Sequence, residues 1–130
     1  MSGALAALLL GAAPIERKAS ALSSLRAVSE LVAGGAPLLI YPEGECSTDG
    51  SVGEFKRGVG LLARLTKAQV VVVGIEGSRD VLPLERRWPR RARVTVSFSG
   101  PIVYAHASAE AFAEDLQLQM VRLLTAGRPP

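Results

Sequence analysis

Three patterns of apolar spacing divide this chain. Between Ser20 and about Ala33, Leu22, Leu25, Val28, Leu31 and Val32 recur every three or four residues, the spacing that lays one stripe along a helix. Ser20 stands where it can cap that helix. Gly34 and Gly35 stand where they can end it, because glycine takes the left-handed conformation of a helix C-terminus without steric cost. A second helical stripe spans Lys56 to Lys67, with Val59, Leu62 and either Leu61 or Leu65 inward. A third starts after Ser108 and carries Phe112, Leu116, Met120, Leu123 and Leu124 as far as Gly127.

Two further runs show no polar alternation, "PLLIY" at 37–41 and "QVVVVGI" at 69–75. Short, wholly apolar runs predict strands covered on both faces, the habit of parallel sheets. "RVTVSFS" at 93–99 alternates, placing Val94, Val96 and Phe98 on one face of a strand with a more exposed side. Gly100 and Pro101 turn the chain after it, and a Pro- and Arg-rich connection fills 76–92. The predicted order is helix, strand, helix, strand, strand, helix. That order implies an α/β fold, a mostly parallel sheet flanked by helices.

At 130 residues the chain makes one domain at most, long enough to bury a core. Its residues are 48% hydrophobic but only 5% aromatic, so that core is built from Ala, Leu and Val and the chain is not a disordered one. The net charge of +3 is modest, yet Arg86, Arg87, Arg90, Arg91 and Arg93 crowd into eight residues. A single cysteine allows no internal disulfide, which points to a reducing compartment. The opening "MSGALAALLLGAAPI" is apolar for about a dozen residues, short of the roughly 20 that a membrane-spanning helix needs. It reads as a buried segment, an interfacial one, or the cut end of something longer.

Candidate chemistry gathers after the first apolar run, since functional groups in open α/β sheets collect at the carboxyl ends of strands. In "YPEGECSTDG", Glu43 and Glu45 have the oxygens to bind a cation or orient a hydroxyl, and Gly44 lets a ligand approach the backbone. The same residues also make an ordinary solvated turn. The arginine cluster has two readings as well: phosphate binding, or a solvated loop tied to carboxylates such as Glu85. Cys46 and His106 lie sixty positions apart and do not form a recognisable nucleophile–base pair. No His/Cys cluster has metal-ligand spacing, no phosphate-binding loop is present, and no stacking aromatics or reading helix suggest nucleic acid.

Four segments, in order, resemble the glycerophospholipid acyltransferases of the PlsC, or lysophosphatidic acid acyltransferase, type. "GAAPIERK" is similar to a block ending in arginine, and "YPEGECS" to F-P-E-G-T-R-S. "FKRGVGLLARLTKAQVVVVGI" is similar to an F-K-x-G helix followed by V-P-V-x-I. "VLPLERRWPRRARVTVSFSGPI" is similar to a Pro-Arg loop before V-x-V-x-F-G-x-P-I. The match covers about residues 11–103, followed by a C-terminal helix at about 108–126. The resemblance implies a single partial acyltransferase domain across 1–130. It implies acyl transfer from acyl-CoA or acyl carrier protein to the hydroxyl of a lysophospholipid or glycerol phosphate, with no cofactor beyond that thioester co-substrate.

Residue by residue, Arg17 matches the arginine that holds the acceptor's phosphate, Glu43 and Gly44 match the P-E-G wall of the acceptor site, and Lys56 matches the F-K-x-G lysine. Departures are Glu45 for threonine, Cys46 for arginine and Val72 for proline. The family's H-x4-D pair, in which histidine takes the acceptor's proton and aspartate orients it, has no counterpart. His106 is the one histidine and is followed by Ala111 at the aspartate position. The expectation is therefore the C-terminal two-thirds of such a domain with no catalytic residue of its own, inactive alone. Its expected setting is the cytoplasmic face of a membrane, as a peripheral protein, with a complementing N-terminal chain as a further partner and no role for nucleic acid. A non-catalytic remnant that binds anionic lipid is the alternative.

Overall fold

The computed structural model describes residues 21–45, 47, 49–83 and 87–126. The chain divides into two compact units, 1–37 and 38–130. The predicted cap Ser20 and the predicted stop Gly127 lie outside the described residues.

In the first unit, helix α1 spans Ala21–Ala33, as its apolar stripe predicts. Two glycines end it. Gly35 has φ +88°, and its N–H donates to the Val32 carbonyl at 2.9 Å while the Ala36 N–H donates to that of Leu31 at 3.1 Å. This paired closure satisfies carbonyls that the last helical turn would leave bare.

The second unit contains α2 (Gly58–Thr66), β1 (Val73–Glu76), a single helical turn α3 (Ser78–Val81), β2 (Thr95–Phe98) and α4 (Ala109–Ala126). Ser108 caps α4 as expected, its hydroxyl accepting from the Ala111 N–H at 3.0 Å. Helices α2 and α4 pack on each other, and α4 also packs on both strands. The core between them is Phe55, Ala63, Val72, Phe112, Ala113 and Leu116. Tyr104 meets Phe112 edge-on, with ring centroids 5.0 Å apart. On α2, Leu62 is buried and Leu61 half-buried, whereas Leu65 is exposed, which resolves the choice left open by the sequence. A close approach explains Gly60: a Cβ there would overlap the Ala109 carbonyl at the start of α4.

The α/β mixture is present, but the sheet departs from expectation. The one ladder among the described residues is antiparallel, pairing Val73 with Phe98 and Glu76 with Thr95. The connection between its strands, residues 77–94, is long enough for a parallel crossover, but among its described residues it carries one helical turn, α3, and the chain returns antiparallel. "PLLIY" forms no strand among the described residues. Leu38 to Tyr41 are exposed, Leu39 to 73%, because no strand among the described residues covers or pairs them. β2 faces the opposite way to its pattern: Val96 and Phe98 are exposed, and Thr95 and Ser97 are the half-buried side.

A bulge separates this ladder from a second contact. Val70 and Ile102 exchange two backbone hydrogen bonds of 2.8 Å. Two residues lie between Val70 and Val73 and three between Phe98 and Ile102, so one strand carries an extra residue. Ser99 repairs the mismatch. Its N–H donates to the Val72 carbonyl, and its hydroxyl oxygen accepts from the Val72 N–H, both at 2.9 Å.

Candidate functional site

The P-E-G-E turn and the start of α2 form one closed loop. Its neck is a 2.9 Å hydrogen bond from the Lys56 N–H to the Pro42 carbonyl. A second tie lies just inside: Oε2 of Glu43 accepts from the Gly53 N–H at 2.8 Å. A Cβ at Gly53 would stand 2.8 Å from that same carboxylate oxygen, so a side chain there would push the Glu43 carboxylate off this bond. Gly44 has φ +73°, a conformation that favours glycine, and its N–H donates to the Tyr41 carbonyl at 3.2 Å to close the turn.

Phe55, the residue before the neck lysine, is buried in the core, and its N–H donates to Oε1 of Gln117 on α4 at 3.3 Å. The neck is thereby attached to the packed part of the unit. The loop tip is organised separately. Oδ1 of Asp49 accepts from the hydroxyl of Ser51 at 2.6 Å, the Ser51 N–H at 2.9 Å and the Ser47 hydroxyl at 3.3 Å. These bonds, chiefly the one from the Ser51 hydroxyl, lower the Asp49 carboxyl to about 2.

Three expected site residues, Glu43, Gly44 and Lys56, therefore meet at one neck. Lys56 is exposed and has no ion pair among the described residues. Glu43 commits one carboxylate oxygen to the loop's own backbone. It is thus a structural clamp as well as a candidate wall residue, a role its position in the sequence does not announce. Gly53 and Gln117 were missed: a third glycine in the loop was the only signal for the first, and nothing marked the second. Arg17 and Cys46 lie outside the described residues.

His106 lies near Asp115 of α4, Nε2 to Oδ2 at 3.6 Å, with its ring 5.3 Å from that of Phe112. Among the described residues no group of His, Cys, Asp and Glu could hold a metal ion. No helix among them is long and apolar enough to cross a membrane.

A sequence model of the Acyltransferase family matches residues 2–76, which include the whole neck. A chloroplastic 1-acyl-sn-glycerol-3-phosphate acyltransferase of Brassica napus is 34% identical over 77 residues, 58% of this chain and 22% of that protein. Its counterpart in Arabidopsis thaliana is 32% identical over the same shares. Among solved structures, PlsC from Thermotoga maritima, a 1-acyl-sn-glycerophosphate acyltransferase, is similar in fold, with a TM-score of 0.77 and 24% identity over 84% of this chain. The chain spans 47% of the length of that PlsC and less than a quarter of that of the plant relatives. The α/β architecture and the matched span together place this chain in the PlsC-type acyltransferase family.

Proposed function

We propose that this chain supplies the acceptor wall of an acyltransferase that acylates a lysophospholipid at a membrane surface. The acceptor is 1-acyl-sn-glycerol 3-phosphate, by analogy with the relatives' names. The donor is an acyl thioester of coenzyme A or acyl carrier protein. The acceptor hydroxyl attacks the thioester carbonyl, the carbon–sulfur bond breaks, and the thiol leaves carrying the proton. The observation that carries this reading is the neck, which joins Glu43 and Gly44 to Lys56 within the stretch matched by the family. Lys56 offers positive charge to a phosphate there, with Arg17 as the expected second contact. An acceptor approaching Gly44 meets backbone and no side chain.

The reaction needs a base for the hydroxyl proton. His106 is the one histidine of the sequence, and it is half-buried against Phe112 and Tyr104. His106 is followed by Ala111 where the family's H-x4-D pattern has aspartate, so on this reading the base comes from outside these 130 residues, from the same polypeptide or a second chain. General acid–base catalysis is worth about 10²–10⁴-fold, enough to separate the two situations in an assay. Labelled acyl-CoA and lysophosphatidic acid would be offered to the chain alone, then to the chain mixed with a segment carrying H-x4-D. Product from the mixture only is expected, reduced by Lys56→Ala. Product from the chain alone, abolished by His106→Ala, would show the base to be internal. No product in either sample sinks the catalytic reading and leaves lipid binding without turnover.

A further inference from the structure

The connection between β1 and β2 holds most of the chain's uncompensated positive charge. Residues 77–94 contain six arginines against two acids, so the remainder of the chain, within a net charge of +3, is slightly acidic. Arg90 organises the loop. Its N–H donates to the Val81 carbonyl at 2.8 Å and its Nε to the Asp80 carbonyl at 2.6 Å, while its guanidinium stands 3.7 Å from the Asp80 carboxylate. One arginine and one acid are thus used in folding the loop back on α3. Arg79, Arg87, Arg91 and Arg93 remain exposed, with no ion pair among the described residues. Trp88, next to Arg87 in sequence, is 82% exposed, and Leu82 is half out of the fold.

An indole left in water, in a loop whose Arg79, Arg87, Arg91 and Arg93 have no ion pair among the described residues, costs solubility and contributes nothing to the core. Tryptophan is favoured where an apolar environment meets a wet one, and arginine is drawn to anionic headgroups. We propose that this loop is a docking surface for an anionic lipid bilayer: Trp88 enters the headgroup layer while Arg79, Arg87, Arg91 and Arg93 pair with lipid phosphates. Arg90 sets the loop's shape and contacts no lipid. A lone aromatic gives no series of stacking platforms of the kind single-stranded nucleic acid uses. The surface acts whether or not the chain turns over substrate, so it stands or falls separately from the acyl-transfer reading.

Trp88 is the chain's only tryptophan, so its fluorescence reports this loop without any added label. The full chain would be titrated with vesicles of phosphatidylcholine containing phosphatidylglycerol, and with phosphatidylcholine alone. A blue shift of emission with the anionic vesicles only, reversed by salt, is expected. Arg87→Ala, Arg91→Ala and Arg93→Ala combined should weaken binding on the order of 100-fold, at about fivefold per arginine. Their exposure leaves the far-UV circular dichroism unchanged. Vesicle binding with unshifted Trp88 emission would overturn the proposal, placing the contact elsewhere on the chain. So would equal binding to neutral vesicles, or salt-sensitive binding to duplex DNA with none to vesicles.

Discussion

The two faces of the β1–β2 ladder are chemically opposite. One presents Gly74, Thr95 and Ser97, small or polar, and it is the face on which α4 packs, with Leu123 and Leu124 against Gly74. The other presents Ile75, Val96 and Phe98, the last 66% exposed. Burial here follows closeness of approach, not side-chain hydrophobicity. A helix can settle near a glycine, and much of the apolar content of the covered side comes from the helix and from Val70 and Val72. The face richest in β-branched and aromatic groups adds nothing to the core of this unit.

That contrast can be broken most strongly from the covered side. Phe112→Ala, at a ring with no solvent exposure, should cost about 3–5 kcal/mol in urea unfolding. Gly60→Ala should cost about 1–3 kcal/mol, because its methyl meets the Ala109 carbonyl and α2 must move away from α4. Ser99→Ala leaves the buried side of the bulge without an acceptor for the Val72 N–H. A loss of about 1–2 kcal/mol is expected, with faster amide exchange at Val72. Phe98→Ser, on the bare face, should change stability by less than about 1 kcal/mol. It should instead reduce self-association in sedimentation at high concentration, since exposed apolar patches drive contact between copies. A large loss of stability from Phe98→Ser would mean that this face is packed after all, and the contrast would fail.

The smallest effect lies away from both faces. Asp49 titrates near 2, below its ordinary 3.8, because the closed tip prefers the carboxylate. A depressed pKa gives a stabilisation that is complete above the ordinary value and fades as pH falls through about 4 toward 2. The Ser51 amide resonance should move with a midpoint near 2, and Asp49→Asn should remove that titration. A midpoint near the ordinary value would show the tip to be open in solution.

The helices were legible in the sequence because a helix carries its own periodicity and stop signals. Leu22 to Val32 with Gly34–Gly35, and Phe112 to Leu123 after Ser108, each define an element with little help from elsewhere. The strands were not legible in the same way. An apolar run such as Leu38–Tyr41 says that a strand would be stable if covered, and covering depends on what lies beside it. Val96 and Phe98 alternate correctly, but alternation identifies two faces without saying which one a helix will take. At the candidate site, the P-E-G-E turn and Lys56 could be singled out by type and by resemblance. That Glu43 reaches across ten residues to the Gly53 N–H could not, because a carboxylate's partner is set by the loop's closure.

The neck at Pro42–Lys56 also bears on how this region tolerates change. With Lys56 bonded to Pro42 and Glu43 fastened to Gly53, the described tip residues Ser47 and 49–51 lie inside two ties that fix the loop's base. Doubling the length of a flexible loop costs only about 0.6 kcal/mol. Insertions or exchanges inside those ties should therefore leave the geometry of Glu43, Gly44 and Lys56 intact. In sequence, Glu45 and Cys46, the two departures from the family's P-E-G-T-R pattern, both lie between Glu43 and Gly53. The segment is a natural place for grafting, where side chains can be exchanged without rebuilding the frame that holds them.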